Sequence, residues 1–397
     1  ATEAETRKYL IDEALAEVGW HFGKNMEVEV PVQGMPISER SPKGNGYCDY
    51  VLYDDAHVPL AVVEAKRTSV SVEDGSVQAR LYADCLEKQY GRRPIILLSN
   101  GYEFCYLDDL SGYPRRKVSG FFTPEELRRR MRQRNRQPLT SVHPKNEIAG
   151  RPYQLHAIQS VAEAADKKIR KFLIVQATGT GKTRVSAGIS DIMLRSDWAY
   201  RILFLADRNP LVRQGKSSYT DIFGNTYPLC NLVLANKDKK SEMAENPENS
   251  RIIFSTYPTM LNSIDSRRKD DGSRLFTPGY FDLIILDESH RSIYNKYQDI
   301  FAYFDAMLLG LTATPKADMD HDTYGFFDLP QGEPTDNYDY RDAVEQGYLV
   351  DYEAVDCSTR LLTEGLKYNE LSPEDKEEYE RTFGDEADDG TNTNKKD

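Results

Sequence analysis

Apolar side chains recur at helical spacing near the start of the chain, at Leu10, Ala14, Leu15 and Val18, and stop at Gly19. The spacing predicts a helix over residues 3–18. Five strand-like stretches follow, at 26–32, 47–53, 60–65, 94–99 and 103–107, with a helical segment over 72–90 between the third and the fourth. That order predicts an α/β module of mixed character, complete by about residue 110. From residue 153 the pattern changes. The runs FLIVQ at 172, ILFLA at 202, RIIFS at 251, DLIILD at 282 and MLLGLT at 307 are nearly continuous in apolar residues and alternate with helical segments. Strands of this kind are buried on both faces, so a parallel sheet covered by helices is expected. After Pro315 the sequence turns polar, with a short amphipathic piece over 340–352 and an acidic tail whose composition suits disorder.

Length and charge refine this division. The 397 residues suffice for two or three domains. We expect a first domain over 1–114, a basic linker over 115–150 marked by Pro138, Pro144 and Pro152, a second domain over 151–325, and a remainder over 326–397. The net charge of −13 argues against a generally basic nucleic-acid coat, yet residues 115–136 carry nine basic and two acidic side chains. That run either tracks a phosphate backbone between the modules or is the solvated face of a paired helix. No apolar run approaches the roughly 18 residues of a membrane span, and the N-terminus shows no secretory pattern. The five cysteines are scattered and never spaced as C-x-x-C, which disfavours disulfides and a zinc ribbon. A soluble, cytoplasmic protein is expected.

The sharpest chemical signal is Ala177-Thr178-Gly179-Thr180-Gly181-Lys182-Thr183, directly after one apolar strand and before a helical run. Glycines let backbone N–H groups wrap phosphates and the helix N-terminus adds its dipole; Lys182 would reach the β and γ phosphates, and Thr183 would hold Mg²⁺. The stricter pattern would place glycine where Gln176 stands. Gly215-Lys216-Ser217 also spells G-K-S, but without upstream glycines it is expected to be loop. The run LIILDESH ends a strand with Asp287 and Glu288; in an ATPase the first acid holds Mg²⁺ and the second polarises the attacking water. Thr312 and Thr314, ending the next strand, would sense the γ-phosphate. His290 fits a coupler between nucleotide and DNA better than a metal ligand, since no second His or Cys has suitable spacing.

A second constellation lies in the N-terminal module. Asp49 sits in one strand and Glu64-Ala65-Lys66 in the next. Because side chains alternate along a strand, Glu64 and Lys66 share a face and can converge with Asp49. Two carboxylates and the Ala65 carbonyl would suit Mg²⁺, with Lys66 orienting water or neutralising a phosphorane. Gln78 and Tyr82 stand at i, i+4 on one face of the following helix. Glu5 or Glu3 in the first helix is a candidate further acid.

Residues 151–316 resemble superfamily 2 helicases and translocases, whose loops commonly take the A-x-T-G-x-G-K-T form. The resemblance implies that Gln154 of Arg151-Pro152-Tyr153-Gln154 reads adenine. It also implies that Ala206-Asp207-Arg208 with Gln214, and Ser255-Thr256-Tyr257, hold the nucleic-acid backbone. No G-x-D-x-P or Q-x-x-G-R-x-x-R element follows, so only the first of two RecA-like lobes is expected. The acids, Lys66 and Q-x-x-x-Y together resemble the RecB-like PD-(D/E)xK nucleases. The order of modules, with DTYGFF at 322–327 and YDYRDAVEQGYLVDYEA at 338–354, resembles the restriction (motor) subunits of type I restriction enzymes. The implied fold is α/β, a restriction-endonuclease-like mixed-sheet domain followed by a parallel-sheet RecA-like lobe. The implied function is ATP- and Mg²⁺-dependent translocation and cleavage of unmethylated double-stranded DNA, with methyltransferase and specificity subunits as partners and no membrane. Two alternatives stay open: a stand-alone helicase-nuclease in repair, which neighbouring methyltransferase genes would exclude, and a nucleic-acid-dependent ATPase with a non-catalytic N-terminal domain, which a still-nicking Asp49→Ala variant would favour.

Overall fold

The computed structural model describes residues 7–37, 43–66, 75–235, 245–287, 293–313 and 323–351. Glu3, Glu5, Glu288, His290, Thr314 and the acidic tail fall outside them.

The first sheet has six strands in sequence order. They are β1 (Met26–Gln33), β2 (Asn45–Tyr53), β3 (Pro59–Ala65), β4 (Ile95–Ser99), β5 (Phe104–Leu107) and β6 (Arg116–Val118). Only β3 and β4 run parallel; the other neighbours are antiparallel. A single helical turn at Arg7–Ile11 leads into α1 (Asp12–Glu17), and α2 (Ser76–Tyr90) is the crossover that makes the parallel pair possible. Strand β3 is buried at every position, because α2 covers one face while Trp20, Phe122 and Leu127 pack on the other.

The second sheet has seven strands in the order β13-β7-β12-β11-β8-β10-β9, all parallel. The five apolar runs become β7 (Lys171–Gln176), β8 (Ile202–Ala206), β10 (Ile252–Thr256), β11 (Leu283–Leu286) and β12 (Met307–Thr312). The short edge strands β9 (Leu229–Asn231) and β13 (Asp336–Tyr338) complete it. Helices α4 (Pro152–Asp166), α5 (Lys182–Arg195) and α6 (Asn209–Phe223) cover one face, and α7 (Tyr257–Ser266) and α8 (Ile293–Tyr303) the other. The Gly215-Lys216-Ser217 string lies inside α6 rather than in a loop. Gly215 is there because a Cβ would stand 3.1 Å from the Phe204 ring, so glycine lets the helix press onto β8.

Part of the basic run is packed into the protein, while Lys117 and Arg132 remain exposed. Residues 116–118 add the sixth strand, and α3 (Pro124–Gln133) wedges between the two sheets. Thr123 and Glu126 form a reciprocal capping box at its start. Arg129 is 3% exposed and donates to the Gly279 carbonyl at 2.9 Å. Arg134 pairs with Asp108 at 2.8 Å, and Glu126 accepts from Thr277. Arg129 is buried, and Arg116, Arg130 and Arg134 are largely covered, because carboxylates and carbonyls far away in sequence meet them. Among the described residues no helix is long and apolar enough to cross a membrane. The four described cysteines are buried, outside any disulfide.

Candidate active sites

The β2–β3 ladder pairs Tyr50 with Val63, so the next step along it sets Asp49 opposite Glu64. Directly opposed residues of an antiparallel pair share a face. Asp49 Oδ2 accepts from the Ala65 amide at 2.7 Å, which fixes that carboxylate against the strand carrying Glu64. Glu64 is 3% exposed, and Lys66 Nζ lies 2.7 Å from its Oε1. Three residues expected to converge therefore do so.

Helix α2 packs beside these residues. Gln78 Nε2 donates to the Tyr82 hydroxyl, and burial pushes the Tyr82 phenol up, with the negative charges of Glu64 and Asp49 adding to the shift. The neighbouring Cys48 thiol is likewise raised by burial, then by Glu64 and Asp49. Burial is the larger cause in both, and the carboxylates of Glu64 and Asp49 add to it. Two glycines escaped the sequence reading. A Cβ on Gly75 would meet Lys66 Cε at 2.9 Å and Glu64 Cγ at 3.0 Å, and one on Gly46 would meet the Tyr82 ring at 2.9 Å. Their signal was available: each is a glycine next to a module whose strands and helix must approach closely.

The donor set fits a divalent cation that prefers hard oxygen ligands. Among the described residues no group of three or more His, Cys, Asp or Glu side chains is arranged for a metal. A cation at this place would be held by Asp49, Glu64, the Ala65 carbonyl and water.

The phosphate loop follows β7 and opens α5. Gly179 and Gly181 have φ of +88° and +91°, the left-handed region where L side chains are strained. Thr178 and Gly179 are exposed at the crest, and Lys182 and Thr183 are half-buried at the helix entrance. Lys182 Nζ donates to the Gln176 carbonyl at 3.3 Å. Thr180 is turned inward: fully buried, its hydroxyl donates to the Ala177 carbonyl at 2.7 Å, so it can offer a phosphate only its backbone.

Gln154, for which the resemblance implies adenine reading, lies at the foot of the phosphate loop and lines the cavity there with Arg151, Gly179, Gly181 and Thr183. It is 2% exposed; its Nε2 donates to the Thr180 carbonyl at 3.1 Å, and its Oε1 accepts from the Arg151 amide at 3.3 Å. Tyr153 joins it, donating to the same Thr180 carbonyl at 2.7 Å and stacking on Tyr338 at 4.0 Å. Both side chains brace the loop from below. A Cβ on Gly181 would fall 2.7 Å from Gln154 Nε2, which is why this contact needs glycine.

Parallel strands deliver the remaining residues to the same edge. Thr312 pairs with Val175 in the register of β12 and β7, and Asp287 follows β11, its amide donating to the Leu205 carbonyl at 3.0 Å. Thr312 is fully buried. Ser255 and Tyr257 are also fully buried, and the Thr256 side chain caps α7, so their side chains are committed to the protein. Asp207, Arg208 and Gln214 remain partly or fully exposed at the same edge.

Residues 147–317 match the family described as type III restriction enzyme, res subunit, and residues 38–115 match the type I restriction enzyme R protein N terminus. The chain is 28% identical to the EcoAI type I restriction enzyme endonuclease subunit of Escherichia coli, over 89% of this chain and 44% of that one. It is 26% identical to the EcoKI endonuclease subunit of E. coli K12, over 91% of this chain and 36% of that one. It is a distant homologue of the R subunits of type I restriction enzymes. A fragment structure of a putative HsdR subunit from Vibrio vulnificus YJ016 aligns with 87% of this chain and 61% of its own, at 26% identity and a TM-score of 0.38. The chain spans less than half the length of the two curated relatives. By family it carries a nuclease region and an ATPase region.

Proposed function

We propose that the chain is the DNA-cleaving and ATP-driven translocating part of a type I restriction–modification complex. In that reading, residues 1–114 cut and residues 151–325 hydrolyse ATP. The observation that carries it is the convergence of Asp49, Glu64 and Lys66 in a chain that also holds a glycine-shaped phosphate loop. Asp49 and Glu64 would hold Mg²⁺, which supplies a polarised water and charge stabilisation for phosphodiester hydrolysis. Lys66 would turn its ammonium from Glu64 toward the negative charge developing on the phosphoryl oxygens. Gln78 and Tyr82, hydrogen-bonded to each other on α2, would belong to the same catalytic site. In the ATPase region, Lys182 would leave the Gln176 carbonyl for the β and γ phosphates. Thr183 and Asp287, with Glu288, would serve Mg·ATP, and Thr312 and Thr314 would register loss of the γ-phosphate. Double-stranded DNA is the substrate, and methyltransferase and specificity subunits are the partners that supply target choice in the cytoplasm.

The test combines the protein with those subunits and unmethylated plasmid. Asp49→Ala is expected to abolish linearisation while ATP hydrolysis persists; Lys182→Ala is expected to abolish both. Cleavage that survives Asp49→Ala would overturn the assignment.

A further inference from the structure

The arginines of the basic run meet the opening residues of the ATPase strands in a cavity of about 50 Å³. It lies at the N-terminal edge of the parallel sheet, opposite the phosphate loop: Arg170, Asp282 and Asp305 line it, and each stands just before a strand, β7, β11 and β12 in turn.

Asp305 takes three arginines at once. Arg116 Nε and Nη2 lie 2.7 Å from its two oxygens, Arg130 Nη1 lies 2.8 Å from Oδ2, and Arg170 Nη2 lies 2.8 Å from Oδ1. A carboxylate offers about four lone-pair sites and each guanidinium five donors, so these contacts fill the acceptor and leave the donors in surplus. The other two acids give little relief. Asp108 is held by Arg134, and Asp282 accepts from the Tyr200 and Arg201 amides at 2.8 and 3.2 Å. A fifth arginine, Arg136, lies 3.4 Å above the Trp198 ring and donates to the Tyr113 hydroxyl at 2.9 Å. Five arginines against three aspartates leave the cavity lining with two more positive than negative charges.

Buried unbalanced charge is costly. Its strain shows in Arg170, whose guanidinium is lowered to about 10 by burial and, despite Asp305, by the repulsion of Arg116 and Arg130. We propose that this junction cavity binds one small tetrahedral oxyanion of the phosphate or sulfate class, held by the guanidiniums of Arg136 and Arg170 and by the donors that Arg116 does not give to Asp305. The space would hold about three waters or one such ion. Planar guanidinium forks match oxyanion geometry bidentately. The site is separate from the phosphate loop and does not depend on the function proposed above. Occupied, it neutralises the surplus where the two sheets are joined, so the anion acts as a third partner in the junction.

Isothermal titration of inorganic phosphate into the 397-residue chain, at ionic strength matched with chloride, tests this. One phosphate per chain is expected, with melting temperature raised by about 3 °C at saturation and with sulfate competing. Lys182→Ala should retain this binding. Arg136→Gln and, separately, Arg170→Gln should weaken it about tenfold or more, and Arg136→Lys should be intermediate because it keeps charge but loses the fork. Circular dichroism verifies folding of each variant. Absence of binding at millimolar phosphate would overturn the proposal. So would binding that disappears in Lys182→Ala and persists in both folded arginine variants.

Discussion

Replacing Asp305 with alanine removes one carboxylate and strands three guanidiniums. The side chain of Asp305 is 5% exposed, and those of Arg116, Arg130 and Arg170 are 18%, 11% and 24% exposed, so solvent screens the loss only in part. Breaking a buried pair costs about 3–5 kcal/mol; the partial exposure of Arg170 places the expectation at the lower end, about 3 kcal/mol. At about 2 °C per kcal/mol for a chain this long, melting should fall by about 6 °C at pH 7 by calorimetry. The pH dependence carries a sign. Burial alone would raise the Asp305 carboxyl, but the charges of Arg170, Arg116 and Arg130 outweigh it and hold the carboxyl far below the usual carboxylate range. A depressed acid contributes stability that is complete above its unfolded value, about 3.9, and that fades as pH drops below it. The gap between parent and variant should therefore be constant from pH 8 to about pH 5 and narrow below about pH 4. A gap under about 2 °C at pH 7, or one that widens on acidification, would refute the reasoning.

Three further outcomes follow from single contacts. Tyr153→Phe removes the 2.7 Å bond to the Thr180 carbonyl, a loss of about 1 kcal/mol, so ATP affinity by calorimetry should fall about fivefold without change in DNA binding. Gly75→Ala puts a methyl against Lys66 Cε and Glu64 Cγ; the flexible lysine yields first, so DNA cleavage should drop about tenfold or more while ATP hydrolysis is unaffected. Gly181→Ala forces a Cβ into the left-handed region and onto Gln154 Nε2, and nucleotide binding should be lost in a protein that still melts cooperatively.

Much of the fold was written in the apolar runs. Strands such as Ile202–Ala206 and Leu283–Leu286 are buried at every position, and uninterrupted hydrophobicity is what two covered faces demand. The pairing of Asp49 with Glu64 was also legible, because alternation fixes which residues share a face. The packing of the basic run was not legible because its partners are remote: Arg116 meets Asp305 across 189 positions of sequence, a separation that no local pattern encodes. Its helix nevertheless carried a local sign, Thr123-Pro124-Glu125-Glu126, a capping sequence with proline in the first turn. Gly215 was misplaced for a similar reason, since the Phe204 ring that explains it belongs to another element. Gln154 could be located from its motif, but its burial beneath the phosphate loop depended on the left-handed Gly181, a geometry the letters alone do not give.

The most direct measurement of the central claim is anomalous scattering from crystals soaked in Mn²⁺ without nucleotide. A peak is expected between the carboxylates of Asp49 and Glu64, and it should disappear in Asp49→Ala. A structure with Mn²⁺ bound elsewhere and no density between these two acids would contradict it.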